Sequence, residues 1–325
     1  MKTLSRRRWM SGLALTAAAG RRALAAPSGP SVVDAHAHVW SPDLRKYPLA
    51  PGLIRENLWF PSFTVEELVQ KGSRAGVARY NLIQMTCYGL DHSYILDAIA
   101  GDPTRFVGTG IVPAVSDVSL PSPDRTMKAL ARGGIYAFRI RGRSTRPAMR
   151  SGERWMDHPG FDKMFAAGAR HDLCLSFLMT PADLPELNRM CRRFPETPVI
   201  IDHFCLIGKQ ANRVEEETRA LCRMARHPRV MLKLGAFYAL GKKRPPYLDM
   251  LPLIRRLVDA FGPDRCMWES DAPLQTKNGH TFEAAVAVIR DHADFLSSSD
   301  KQQILSGTAE KLFFHRSPPV SDDAD

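Results

Sequence analysis

No stretch of the 325-residue chain approaches the ~18 uncharged apolar residues that a membrane-spanning helix needs, which argues against a stable span. The six cysteines (Cys87, Cys174, Cys191, Cys205, Cys222 and Cys266) include no C-x-x-C pair, so a zinc ribbon is excluded. Most of them sit among apolar neighbours and read as small core residues rather than a disulfide framework. No G-x-G-x-x-G follows the first apolar run, which argues against a dinucleotide-binding sheet. Internal repeats and low-complexity linkers are also missing. Beyond the first 25 residues no Lys/Arg run is interleaved with aromatics, although the formal charge is +11. Six of the cations (Lys2, Arg6, Arg7, Arg8, Arg21 and Arg22) lie in the first 25 residues, which hold no acid. Without them 39 cations face 34 acids, a balance of +5, and nucleic-acid binding loses its main support. What is present is a hydrophobic content of 44% against 24% charged residues, enough for a sizeable core.

The N-terminus reads as an address. Ser5-Arg6-Arg7-Arg8-Trp9-Met10 precedes a mild Ala-rich apolar stretch, and Ala23-Leu24-Ala25 fits an A-x-A cleavage site. Residues 1–26 therefore resemble a twin-arginine signal, with Trp9 where Phe is usual. The expectation is export of the folded chain by the twin-arginine machinery to the bacterial periplasm or beyond. The polar segment 317–325, with two prolines, reads as a disordered tail.

Between these ends, eight short β-rich runs alternate with helical patterns. The runs are Val32–Ala35, Tyr80–Met85, Phe106–Val112, Ile135–Ile140, Leu173–Leu178, Val199–Ile201, Val230–Leu234 and Cys266–Trp268. Thr64 with Glu67 makes a capping box. Helices are expected from Pro181 to about Phe194, over Glu215–Arg226 and over Tyr247–Phe261, the last stopped by Gly262-Pro263. Eight β/α units in about 300 residues predict an α/β fold, a single-domain (β/α)8 TIM barrel over residues 27–316. Two irregular segments stand apart. Residues 41–63 are rich in aromatics and suit a lid, and Arg141–Pro159 is Arg-rich without periodicity.

The polar groups fall at strand ends, where a barrel builds its site. Asp34-Ala35-His36-Ala37-His38 closes the first strand, and alternation puts His36 and His38 on one face. Two such imidazoles can bind one divalent cation or polarise one carbonyl. Asp202-His203 ends the sixth strand, and Glu269-Ser270-Asp271 ends the eighth. Asp271 suits a metal ligand, a general base for water, or both; a lone Asp there is otherwise a turn former. Arg139 and Arg141 share a face of the fourth strand and suit a substrate carboxylate or hydroxyls, or else open a solvated basic loop continuing to Arg143 and Arg146. Gln84 and Tyr88 follow the second strand as further substrate-binding candidates. Lys233, inside the seventh strand, needs a partner if buried.

This ordered set resembles the amidohydrolase superfamily, and within it the amidohydrolase-related branch of fuconolactonase-like and pyrone-dicarboxylate-lactonase-like enzymes. The likeness spans nearly the whole chain after residue 26. It includes Asp34–Trp40 with Tyr47-Pro48, Gln84, Asp91–Asp97, Arg105–Gly108, Phe138-Arg139-Ile140, Asp202-His203, Val230–Leu234, Glu269–Pro273 and Gly307–Phe313. The resemblance implies hydrolysis at a carbonyl centre in a (β/α)8 barrel. Carried over, His36 and His38 match the first-strand pair, His203 the sixth-strand histidine, and Asp271 the aspartate that activates water. The family's fourth-strand modified Lys is replaced by Arg139. The fifth strand ends without a histidine, and His171 lies at its wrong end. A binuclear centre is therefore not expected. One Zn or Mn ion on His36, His38 and Asp271, with water or His203, and a metal-free site both stay open. The expected activity is opening of a lactone or similar ester of a sugar acid or carboxylated small molecule. The rivals are a metal-dependent decarboxylase or C–C hydrolase of the same superfamily and an exported, non-catalytic small-molecule-binding barrel. By analogy with such barrels, a homodimer is possible.

Overall fold

The computed structural model describes residues 31–141, 154–209 and 211–315. Residues 1–26, expected to be a signal, most of Arg141–Pro159 and residues 317–325 lie outside the described residues. Eight parallel strands run in chain order around one sheet. They are β1 (Val32–His38), β2 (Val77–Ile83), β3 (Phe106–Gly110), β4 (Ile135–Arg141), β5 (Cys174–Leu178), β6 (Val199–Ile201), β7 (Val230–Leu234) and β8 (Cys266–Trp268). The first strand meets the segment just after the last at one parallel bridge, Ala37 with Ala272. There Asp271 N–H donates to the His36 carbonyl at 2.9 Å and His38 N–H to the Ala272 carbonyl at 2.8 Å. The result is a single-domain (β/α)8 barrel. Strand order matches expectation, with two boundary shifts of note: β1 continues through His38, and β2 begins three residues early.

Helices follow the start signals. Thr64 and Glu67 satisfy each other's backbone N–H groups at the head of α1 (Val65–Ser73). The three helices expected after β5, β6 and β7 are each accompanied by a tighter turn. A 3-10 turn at Pro181–Asp183 precedes Leu184–Arg193, another (Arg223–Arg226) follows Val214–Cys222, and a third (Leu248–Met250) precedes Leu251–Phe261. Pro185 and Pro252 occupy first-turn positions, where the missing N–H costs nothing. Gly262, at φ +82, ends the last of these helices. No helix among the described residues is long and apolar enough to cross a membrane, and no disulfide joins any of the six cysteines.

The barrel interior has a largely apolar floor, in which Asn81 is a buried polar exception. Val33, Ala35, Val107, Ala137, Cys174, Ile200, Met231 and Met267 form one buried cluster with Ala309, Leu312 and Phe313, which close the base. Six strands then carry a polar residue two positions further along, on the same inward face: Thr109, Arg139, Ser176, Asp202, Lys233 and Glu269. Period two thus stacks a polar tier on an apolar one. In β1 the ladder register shifts between Asp34 and Ala37. Asp34 Oδ1 accepts the His36 N–H at 3.1 Å within this irregularity. Val33 and Ala35 therefore face the interior, Ala37 joins the outer core, and His36 and His38 turn into the mouth.

Candidate active site

The mouth holds an open cavity of about 240 Å³ lined by His38, Trp59, Gln84, Arg139, Arg141, His203, Tyr238 and Asp271, among others. At its base the Nε2 atoms of His36 and His38 lie 3.3 Å apart. Asp271 Oδ1 is 3.6 Å from the first and 3.4 Å from the second. Asp271 Oδ2 faces His203 Nε2 at 3.7 Å and accepts the Tyr238 hydroxyl at 2.7 Å. Arg139 spans two imidazoles, with Nη1 3.3 Å from His38 Nε2 and Nη2 3.4 Å from His203 Nε2.

Buried groups below hold this ring. Lys233, fully buried, places Nζ 3.0 Å from Asp202 Oδ1 and 3.1 Å from His36 Nδ1. Ser176 Oγ donates to the same Asp202 oxygen at 2.8 Å. Glu269 Oε1 accepts from His203, at 2.6 Å from Nδ1 and 3.1 Å from the backbone N. Arg139 Nε and Asp202 Oδ2, both without a hydrogen-bond partner among the described residues, face each other at 3.6 Å. Asp34 braces the eighth-strand end by accepting Ser270 N–H at 2.9 Å and Ser270 Oγ–H at 2.5 Å, and burial pushes its own carboxyl up to about 7.

Protonation preferences diverge within a few ångströms. Burial lowers His36 and His38, with Lys233 and Arg139 adding to the effect on His36. Burial also opposes charge on His203, but the Glu269 and Asp271 carboxylates outweigh it and raise that histidine. Burial of Asp271 is likewise outweighed, by His203 first, and its carboxyl is held well below the usual range. The cluster thus pairs a stable carboxylate with a histidine biased towards imidazolium.

The donor set fits one divalent cation. A tetrahedral Zn²⁺ with bonds of ~2.0–2.1 Å spaces its ligands at about 3.3–3.4 Å. The three separations among His36 Nε2, His38 Nε2 and Asp271 Oδ1 match that spacing within a few tenths of an ångström. His38 Nδ1 sits 3.3 Å from the Ile83 carbonyl, and His36 Nδ1 sits 3.4 Å from Glu269 Oε2, an oxygen with no hydrogen-bond partner among the described residues. The His38 contact can carry Nδ1–H and leave Nε2 facing the mouth, whereas at His36 Nδ1 the closer neighbour is the Lys233 ammonium, a donor at 3.1 Å. Arg139 Nη1 approaches the same His38 lone pair.

The structure brings together His36, His38, His203, Asp271, Arg139, Arg141 and Gln84 around one cavity. Gln84 spends its amide on the Gly89 and Asp91 carbonyls and leaves Oε1 buried without a partner among the described residues. Tyr88 is placed elsewhere: its hydroxyl accepts Ser41 N–H at 2.9 Å, at the root of segment 41–63. That segment is tied at its base by paired Trp40 and Phe63 backbone bonds and at its flank by Tyr47 O–H to Asp97 Oδ2 at 2.8 Å. It sends Trp59 over the mouth, ring centroid 6.3 Å from that of His38. Sequence reasoning passed over Tyr238 and gave Glu269 no part in the site. Tyr238 is the first polar side chain past the end of β7, and Glu269 is the inward residue after β8; only the second follows from the strand phase.

Comparison with known proteins agrees with this architecture. Residues 33–314 match the family described as amidohydrolase (Amidohydro_2), and the chain belongs to that family. It is a hydrolase of the amidohydrolase superfamily. It is 28% identical to an L-fucono-1,5-lactonase of Burkholderia ambifaria over 85% of this chain and 93% of that protein. A 4-sulfomuconolactone hydrolase of Hydrogenophaga intermedia is also 28% identical, over 75% of each chain. Among solved structures, an amidohydrolase of Burkholderia multivorans with bound zinc has a TM-score of 0.69 at 19% identity, covering 87% of this chain and 99% of that one.

Proposed function

We propose that the protein opens a lactone, or a similar ester, of a sugar acid or carboxylated small molecule. The observation that carries this reading is Asp271, a carboxylate within 3.4–3.7 Å of three imidazoles at the base of an open pocket. Relatives named as lactone hydrolases support the reaction class, whereas nothing in the site favours decarboxylation or a purely binding role.

Asp271 takes a proton from water as the oxygen attacks the lactone carbonyl. Donors at the histidine cluster meet the developing oxyanion. The ring C–O bond then breaks, and the leaving oxygen receives a proton from the His203 imidazolium or from protonated Asp271. Arg141 at the rim, with Arg139 behind it, is set to hold a substrate carboxylate or hydroxyls. A divalent cation on His36, His38 and Asp271, when bound, supplies Lewis-acid polarisation of the carbonyl.

The test is a lactone panel that includes L-fucono-1,5-lactone, a sulfomuconolactone and a pyrone dicarboxylate, followed by acid release. Wild type should turn over at least one, and Asp271→Asn should lose at least ~100-fold in kcat on it. Full activity in Asp271→Asn would sink the mechanism. We also infer export, from residues 1–26. A periplasmic product whose N-terminus begins near Pro27 supports this, and a cytosolic product retaining Met1 counts against it.

A further inference from the structure

Tyr238 stands in the loop after β7 with a half-buried side chain, and its hydroxyl makes the shortest contact to Asp271, at 2.7 Å from Oδ2. Three imidazoles surround the same carboxylate, but each lies at 3.4 Å or more. Asp271 itself is held in the left-handed region at φ +59, a conformation that a non-glycine residue keeps only under constraint. Its N–H is pinned to the His36 carbonyl. That bond anchors the backbone but leaves the side-chain torsions open.

The phenol is well anchored for such a task. Tyr238 N–H reaches Gln275 Oε1 at 3.4 Å, and Gln275 donates to Tyr247 Oη at 2.8 Å. The preceding Phe237 is fully buried against Tyr247 and Phe204, with ring centroids 5.4 and 5.9 Å away. Phe204 belongs to His203–Leu206, four consecutive residues at φ between +52 and +59. The turn that presents His203 and the loop that presents Tyr238 therefore share one packed aromatic contact.

We propose that Tyr238 is the positioning residue of Asp271: its O–H occupies Oδ2, so that the carboxylate keeps one rotamer and presents Oδ1 to His36 and His38. This rests on the reading of Asp271 as the group that activates water. Tyr238 keeps its own proton throughout, and the proton released by water goes to Asp271. The same restraint serves a cation at that site, because it leaves a single carboxylate oxygen to face the histidines.

Tyr238→Phe removes one oxygen and keeps the ring. On a lactone that wild type hydrolyses, kcat should fall about 10- to 100-fold with KM within about twofold, because the base is misaligned and the pocket is unchanged. A second measurement needs no substrate. Proton NMR of the wild-type protein should show a downfield, slowly exchanging phenolic resonance that disappears in Tyr238→Phe and moves upfield in Asp271→Asn. Wild-type kcat in Tyr238→Phe overturns the proposal, as does a raised KM at constant kcat, which would make Tyr238 a substrate contact. If Tyr238→Phe fails to fold, lack of the resonance in wild type overturns it as well. If wild type hydrolyses no lactone, the lactone reading fails on its own, and the resonance still decides whether Tyr238 holds Asp271.

Discussion

Two tiers of the barrel interior sit two residues apart on the same strands and do different work. The lower tier, with Val107, Ala137, Cys174, Ile200, Met231 and Met267, is apolar apart from Asn81 and packs against the C-terminal segment. The upper tier replaces them with Thr109, Arg139, Ser176, Asp202, Lys233 and Glu269, all buried. Burying apolar side chains contributes roughly 1.5–3 kcal/mol each. A buried ion pair returns little, since the charges must leave water. What the upper tier provides is orientation: Lys233 and Glu269 contact His36, and Glu269 also holds His203. The lower tier should therefore govern stability and the upper tier chemistry, and substitutions in each can break that division.

The largest effect is expected at Lys233. Lys233→Met leaves Asp202 buried beside Ser176 and the longer Arg139 contact, and should cost about 3–5 kcal/mol in denaturant unfolding as well as most of the activity. Changing Asp202→Leu as well should recover more than half of that stability but none of the activity. A double variant no more stable than the single one would mean that the pair is not coupled. Next comes Gly235, where an added Cβ would meet the Glu269 carbonyl oxygen at 2.1 Å and its Cγ at 2.4 Å. Gly235→Ala should cost about 1–3 kcal/mol and shift Glu269, and with it the His203 ring. A kcat that falls further than the thermal midpoint suggests would show that the upper tier acts through geometry; an unchanged kcat would detach Glu269 from catalysis.

The third effect concerns Arg139, whose Nη1 lies 3.3 Å from the His38 nitrogen that a cation would use. Arg139→Met removes this competitor and should raise zinc occupancy after dialysis against a weak chelator, read by elemental analysis. Equal occupancy in both proteins would mean that the guanidinium and the ion do not compete there.

Much of this was legible because barrels encode position simply. Short apolar runs marked all eight strands, and the polar residues just beyond them marked His36, His38, His203 and Asp271. The same period-two logic reaches Glu269, yet an acid beside Ser270-Asp271 looks like part of a turn. Tyr238 was harder, since its contact to Asp271 depends on the backbone path after β7, through Ala236 at φ +54, which no periodicity encodes. Tyr88 differs in kind: its nearness to a strand end suggests the pocket, whereas a 3-10 turn over Thr86–Tyr88 carries its hydroxyl to Ser41 N–H. The register shift in β1 was also invisible, because His36 and His38 share a face with or without it.

The smallest predicted change tests the other half of the comparison. Ile200 is fully buried in the lower tier, and the next inward residue on its strand is Asp202. Ile200→Val removes one methylene and should cost about 0.5–1.5 kcal/mol. The void opens towards Cys174, Met231 and Met267, and methionine side chains are flexible enough to fill part of it. Asp202 should keep its contacts to Lys233 and Ser176, since these lie on the far side of the substituted residue. Unfolding should therefore move by a degree or a few, while kcat and KM per folded molecule stay at wild-type values. A loss in kcat larger than twofold would mean that the floor sets the height of the charged tier, and that stability and chemistry are not divided between the two.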